Sequence, residues 1–486
     1  MGGDVLAGTD FVDALKVFEH DDDTHGIIIV GEIGGAAELD AAEWIKDYHA
    51  RTANPKPIMA LVGGIEAPQG RIMGHAGAWA APGEADAQTK IKALQNAGAV
   101  IVDHPEKFGE GMKILLSSTL HRPVFEVGFS CQRVCFEGHL LTNGQNAAPK
   151  IAQQQRGFHT LRRPQIRRHT YNSAQRRNLY LQQSHSFELL KERNISVGEP
   201  NGADAFFLGI SIDRTAHSAS VIASPSAEPT QHLSSTKKFP FGYGKKKFPA
   251  NSPEIQAIAA HVGLAGSAQK SLAGLTEALV DIFMTKEAFS LEAKVAITGA
   301  GTLEVQGARF GFDDAAYRSA RRQEDIHKLR NKQLEVPEEV EAEKDGIVYV
   351  KLEGEGSIGT LVNGAGLAMN TVDALTIRGG HCANFLDTGG KATSETVKSA
   401  FRILLSDPRV KAIFVNIFGG LTRSEMIAEG IIMAFRDLGM KVPVVVRLRG
   451  TNEELGQKMI AESKLPLHAF DSFEEASAKI ISLSRM

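Results

Sequence analysis

Over residues 24–120, short blocks of apolar residues alternate with stretches in which apolar residues recur every three or four positions. GIIIVGEIGG reads as a buried strand ending in a glycine-rich turn, AELDAAEWIKDYHA as an amphipathic helix, and PIMALVGG as a second strand with its own glycine turn. QTKIKALQNAG follows as a helix, AVIVD as a strand and PEKFGEGMKILLSS as a helix. Strands apolar throughout and separated by helices predict a parallel sheet covered on both faces.

The last 140 residues repeat the plan. VKAIFVNIFGG, KVPVVVRLRG and LPLHAF read as strands, and SEMIAEGIIMAFRDLG, EELGQKMIAES and SFEEASAKIISLS as the helices between and after them. The shared order of strand, Gly-Gly turn and helix predicts two related flavodoxin-like domains, at 1–120 and 346–486. Residues 179–334 are less regular, with strand patterns in FFLGISID, FSLEAKVAI and TLEVQGARF and a helical stretch around Ala257–Ala288. Ser224–Pro253, rich in Ser, Pro and Lys, is expected to be largely loop, and the acidic run 335–345 a solvated hinge.

Composition narrows the class. The chain has 486 residues, 43% hydrophobic and 23% charged, which excludes wholesale disorder. No apolar run reaches the roughly 18 residues of a membrane span. Three cysteines (Cys131, Cys135 and Cys382) cannot form a disulfide framework in a chain this long, which favours a reducing compartment. A net charge of −3 argues against a general nucleic-acid binder. One segment departs from the average. Between Gly138 and Phe187 there is no acidic residue, while Lys150, Arg156, Arg162, Arg163, Arg167, Arg168, Arg176 and Arg177 are all positive. Residues 121–178 therefore read as a basic linker with the composition of a mitochondrial transit peptide at an internal position, and residues 138–178 are expected to form no packed structure.

Three glycine turns, Gly34–Gly35, Gly63–Gly64 and Gly419–Gly420, place backbone N–H groups and helix starts where anions bind, although a tight strand-to-helix turn needs glycine even without a ligand. His75 lies in GRIMGHAGAWA among small residues, so a reacting group can approach its ring closely. Either a surface histidine or a phosphoryl carrier fits that pattern. A carrier needs a carboxylate to orient it, and Glu32 in the GEIGG turn is the candidate within the same domain.

These segments resemble a family. GGDVLAGTDFVDALKVFEHDDDTHGIIIVGEIGG followed by GRIMGHAGA is similar to the C-terminal half of the succinyl-CoA synthetase (succinate–CoA ligase) α subunit, over residues 2–117. Residues 176–486 resemble its β subunit, most clearly in GSIGTLVNGAGLAMNTVDAL, ANFLDTGGKAT and VKAIFVNIFGGLTRSEMIAEGI. The resemblance implies an α fragment joined to a β subunit: two CoA-ligase-type flavodoxin-like domains flanking a partial, ATP-grasp-like α+β region. It implies a mitochondrial-matrix ligase of the tricarboxylic acid cycle, joining succinate to CoA at the expense of ATP or GTP with Mg²⁺, through a phosphohistidine at His75. Glu32 and Glu292 match the carboxylates that hold the histidine at its two stations. Asn363, Gly420, Leu421 and Thr422 match positions that bind the carboxylic acid substrate. Implied partners are succinate or succinyl-CoA, nucleotide, and a complete α or β subunit.

The departures point elsewhere. The chain starts partway into the α-like part, so the family's CoA-binding domain and the helix facing the phosphohistidine are expected to come from another subunit. The nucleotide-phosphate clamp is not recognisable in 179–334. Two metal positions are Lys294 and Gly307, so no metal site is expected. A non-catalytic or regulatory partner, or a merged gene product, is therefore the alternative reading. An ATP-citrate lyase-like ligase is a further one, disfavoured by the order of the α-like and β-like parts.

Overall fold

The computed structural model describes residues 8–68, 70–75, 77–81, 83–119, 178–199, 205–214, 216–227, 235–313, 317 and 322–485. Of the segment read as a basic linker at 121–178, including Cys131 and Cys135, only Asn178 lies within the described residues.

The first segment runs α1 (Phe11–His20), β1 (Ile27–Glu32), α2 (Ala37–Arg51), β2 (Ile58–Gly63), α3 (Ala87–Asn96), β3 (Val100–Ile101) and α4 (Lys107–Thr119). Its strands pair in parallel in the order β1-β2-β3. The helix α1 was not expected from the apolar pattern. It is nucleated by a reciprocal cap, in which the Asp10 carboxylate accepts the Asp13 N–H at 2.8 Å and the Asp13 carboxylate accepts the Asp10 N–H at 3.2 Å. The expectation of two covered faces holds for β2, whose Met59 and Leu61 pack on Phe108 of α4. It fails for β1, an edge strand in which Ile28 and Val30 are 46% and 57% exposed.

The middle segment contains β4 (Asn178–Tyr180), α5 (Gln183–Lys191), β5 (Ala205–Asp213), β6 (Ser218–Ser224), β7 (Lys237–Phe241), α6 (Pro253–His261), α7 (Ser267–Thr285), β8 (Ala288–Ile297), β9 (Leu303–Asp313) and the short α8 (Glu324–Lys328). Its antiparallel sheet has the order β4-β9-β8-β5-β6-β7. The stretch expected to be loop holds β7, paired with β6 at the edge of the sheet, where lysines and a proline are tolerated.

The third segment runs α9 (Pro337–Lys344), β10 (Val348–Lys351), β11 (Ile358–Val362), α10 (Ala365–Ile377), β12 (Asn384–Asp387), α11 (Ser394–Ser406), β13 (Ala412–Gly419), α12 (Ser424–Leu438), β14 (Val444–Gly450), α13 (Glu453–Glu462), β15 (Leu467–Ala469) and α14 (Phe473–Ser484). Its six strands are ordered β10-β12-β11-β13-β14-β15, and only β10 is antiparallel to its neighbour. The acidic run is not a solvated hinge. It forms α9, in which Glu338 and Glu339 are buried and neutralised by Lys351 at 2.7 Å and Arg71 at 2.6 Å.

One apolar cluster joins the first and third segments. Ile27, Ile29, Ala41 and Ile45 share it with Val362, Ala365, Ala368 and Met369 of β11 and α10. Polar ties reinforce the joint. The Asp373 carboxylate on α10 accepts the N–H groups of Gly64, Ile65 and Glu66 at 2.7–3.1 Å, and Glu106 accepts the N–H of Phe473 at 2.8 Å. The start of α10 is thereby brought to the carboxyl ends of β1 and β2, where open parallel sheets hold their ligands.

Candidate functional site

β1 ends at Glu32, and Gly34 (φ +92°) and Gly35 (φ +68°) turn the chain into α2. The Glu32 carboxylate lies 3.4 Å from His75 Nε2. On the other side of the ring, the Ala78 N–H donates to Nδ1 at 3.3 Å and to the His75 carbonyl at 3.0 Å, so the loop closes on itself. Gly74, at φ +94°, is pressed against α10: a Cβ there would stand 2.3 Å from Ala365 Cβ. Only glycine fits. His75 thus sits between the end of the first sheet and the start of a helix from the third segment.

Burial disfavours the charged form of His75, but the Glu32 hydrogen bond and the negative charges of Glu32 and Asp387 outweigh it and raise the pKa, with Arg214 opposing. Asp387, at the end of β12, was not singled out in the sequence. Its Oδ1 accepts the N–H groups of Gly364 at 2.6 Å and Gly389 at 2.7 Å. Burial pushes its carboxyl up, against those bonds and the charge of His75. The available signal was a second strand ending in an acid before paired glycines, LDTGG, as in the Glu32 turn.

The middle sheet grips both ends of the His75 loop. Tyr180 Oη and Arg309 Nη2 donate to the Gly70 carbonyl at 3.0 and 3.3 Å, and the Arg309 guanidinium stacks 4.0 Å above the Tyr180 ring. Arg214 donates to the carbonyls of Gly77 at 3.0 Å and Trp79 at 2.9 Å, while the Trp79 ring meets Phe289 edge-on at 5.2 Å. Nothing local in the sequence marks these contacts.

The other expected residues lie in two places. Glu292 on β8 faces Arg309 at 3.8 Å and accepts the Ser290 hydroxyl at 3.3 Å, and burial pushes its carboxyl up. Its ion partner is therefore Arg309, not His75. Lys294, next on that side of β8, pairs directly with Gly307 of β9. An ammonium facing a glycine offers no oxygen ligand, so these two positions do not fit Mg²⁺. Asn363 exchanges both amide groups with the Phe418 backbone at 2.9 Å, fastening the end of β11 to the end of β13. In the following loop, Gly420 accepts the Thr451 hydroxyl at 3.0 Å and Leu421 is 79% exposed. The hydroxyls of Thr422 and Ser424 are buried without hydrogen-bond partners at the start of α12. Two such donors at a helix N-terminus suit an anion.

A CoA-ligase family model matches residues 1–100 and 361–481, at both ends of the chain. The β subunit of ADP-forming succinate–CoA ligase from Caulobacter vibrioides is 40% identical over 287 residues, covering 58% of this chain and 70% of that subunit. The corresponding subunits of Paramagnetospirillum magneticum and Parvibaculum lavamentivorans are 44% and 46% identical over 225 and 226 residues; each match takes in 46% of this chain and 55% and 57% of those subunits. Among solved structures, ATP citrate lyase from Methanothrix soehngenii in complex with citrate and coenzyme A aligns over 62% of this chain and 81% of its own, with TM-score 0.42 and 15% identity. The 40% identity across 70% of the Caulobacter subunit, with the CoA-ligase match at both ends, makes this chain a member of the succinate–CoA ligase family.

Proposed function

We propose that this chain is a succinate–CoA ligase polypeptide of the tricarboxylic acid cycle, in the mitochondrial matrix, whose His75 carries a phosphoryl group. The observation that carries the reading is the imidazole held between Glu32 at 3.4 Å and the charge of Asp387. In the neutral ring the Nε2–H points at Glu32, and the opposite nitrogen, Nδ1, becomes free to react when it releases the Ala78 N–H that it accepts at 3.3 Å. That nitrogen attacks the phosphorus of succinyl phosphate, the bond from phosphorus to the acyl oxygen breaks, and succinate leaves as the carboxylate. The phosphorylated ring is cationic, and the two carboxylates stabilise it. Splitting the exchange into two displacements through an imidazole lowers the barrier of each. In this reading the loop of Gly420, Leu421 and Thr422 before α12, with Asn363 at the end of β11, would receive the substrate's carboxylate.

A complete α or β subunit supplies the ATP or GTP, Mg²⁺ and CoA sites in this reading, because Lys294 and Gly307 do not fit a metal. The same pair supports the second reading, a regulatory or non-catalytic partner of the enzyme. Incubation with γ-labelled nucleotide, Mg²⁺, succinate and CoA, with and without a complete α–β enzyme, separates them. Acid-labile label on His75 only with the enzyme present, lost in His75→Ala, is the expected result. No label in either case would leave the regulatory reading.

A further inference from the structure

Glu32 is the last residue of β1, where the parallel ladder ends at its pairing with Gly63 of β2, and two positive-φ glycines follow it closely. A buried ion pair adds two further holds at this ladder end. Lys90 on α3 is completely buried. Its ammonium lies 2.6 Å from Glu38 Oε2 and donates to the carbonyls of Glu32 and Gly34, both at 2.8 Å. The ammonium thus has two carbonyl acceptors and one ion-pair partner. Glu38, in the first turn of α2, uses its other oxygen to accept the Glu32 N–H at 3.0 Å. Gly31 leaves room for this reach, since a Cβ there would stand 2.6 Å from Glu38 Oε1.

Glu32 is therefore held by its N–H through Glu38 and by its carbonyl through Lys90. The two grips set the plane of the backbone on both sides of its Cα, and with it the direction in which the side chain leaves. We propose that Lys90, acting with Glu38, is the positioning residue that aims Glu32 at His75; the inference rests on the carrier role proposed for His75. Two features separate it from ordinary core packing. Lysine is almost never fully buried, and a Lys–Glu pair costs more to bury than apolar residues of equal volume. The pair here also holds a residue whose carboxylate lies 3.4 Å from the imidazole, rather than only the body of either helix.

The test reads the ring itself. The full chain, labelled with ¹⁵N-histidine, is titrated by NMR, and His75 is identified by the signal missing in His75→Gln. Besides Glu32, the charged groups facing the ring are Asp387 from β12 and Arg214 from the turn after β5, and the variants touch neither. Lys90→Met combined with Glu38→Gln removes both charges and keeps the volume. The His75 midpoint should fall by at least half of the drop that Glu32→Gln produces, with the circular dichroism melt still cooperative. An unmoved midpoint in this pair variant, with Glu32→Gln lowering it, overturns the positioning role. If Glu32→Gln itself changes nothing, the pairing of Glu32 with His75 is wrong, and the inference falls with it. Should the pair variant fail to fold, Lys90→Arg keeps the charge but shifts the donors, and its midpoint must fall in the same direction or the inference is overturned.

Discussion

A protonated imidazole is no nucleophile, and the carboxylates that hold His75 also favour its protonation. The ring's pKa is raised by Glu32 and Asp387. Phosphoryl acceptance should therefore rise with pH through that raised midpoint, measured as the initial rate of acid-labile labelling from a fixed donor. Asp387→Asn should shift this profile to lower pH while keeping Glu32 in place, and an unshifted profile would remove Asp387 from the site. The stability effect has the opposite sense. A raised histidine pKa stabilises the fold below the unfolded value of 6.5, and that contribution is lost as pH rises through the folded midpoint. Glu32 and His75 were legible in the sequence because GEIGG and GHAGA lie close together within one repeat unit. Asp387 was not, because only the packing of α10 against the first sheet brings the far end of the chain to the same ring.

Where elements meet, two buried groups titrate with opposite sign. Burial, aided by Arg447 and Arg378, lowers His104 to about 3; the ring stacks on Phe473 at 3.7 Å, between β3 and α14. Its folded pKa lies below 6.5, so the unfolded chain takes up the proton first, and stability falls as pH drops below 6.5. Burial pushes Asp373 up to about 6, against its three backbone N–H partners. Its folded pKa lies above 3.8, so its contribution falls as pH rises from about 4 to 6. One uncompensated proton changes stability by roughly 1.4 kcal/mol per pH unit, so between pH 4 and 6 the two largely offset each other. Asp373→Asn should make acid destabilisation steeper than in the wild type, read as the melting-temperature difference between pH 4.5 and 6. His104→Phe, which keeps the stack, should flatten or reverse it. Parallel responses in the two variants would show that these groups do not oppose one another. Neither residue stood out in the sequence, since both titrations come from burial at a joint. The acidic α9 escaped for a related reason: its charges look solvated until Arg71 and Lys351 arrive from elsewhere in the fold.

Across the whole molecule, the two parallel-sheet ends were readable because strand, glycine turn and helix recur in one order, and local patterning suffices for that. The middle sheet was only partly readable. Its β7 carries lysines and a proline at an edge, and its role in gripping the His75 loop depends on side chains that meet only in the fold. The positions that did speak from sequence are Lys294 and Gly307, and their pairing across β8 and β9 states the chemical problem. A divalent cation needs oxygen ligands, and this ladder position presents an ammonium opposite hydrogen. Restoring oxygens should therefore restore metal affinity. A Cβ on Gly307 would stand 3.3 Å from Lys294 Cβ and 3.7 Å from Gln183 Oε1, a tight fit that small shifts can absorb. Lys294→Asn combined with Gly307→Asp should bind Mn²⁺, used as a paramagnetic stand-in for Mg²⁺, at least about tenfold more tightly than the wild type. That gain corresponds to roughly 1.4 kcal/mol. Each single variant should gain less, because one retains the ammonium and the other adds only one neutral oxygen. Wild-type binding as tight as the double variant's would mean that the metal takes its ligands from other residues, and that the loss at these two positions has no bearing on whether the chain works alone.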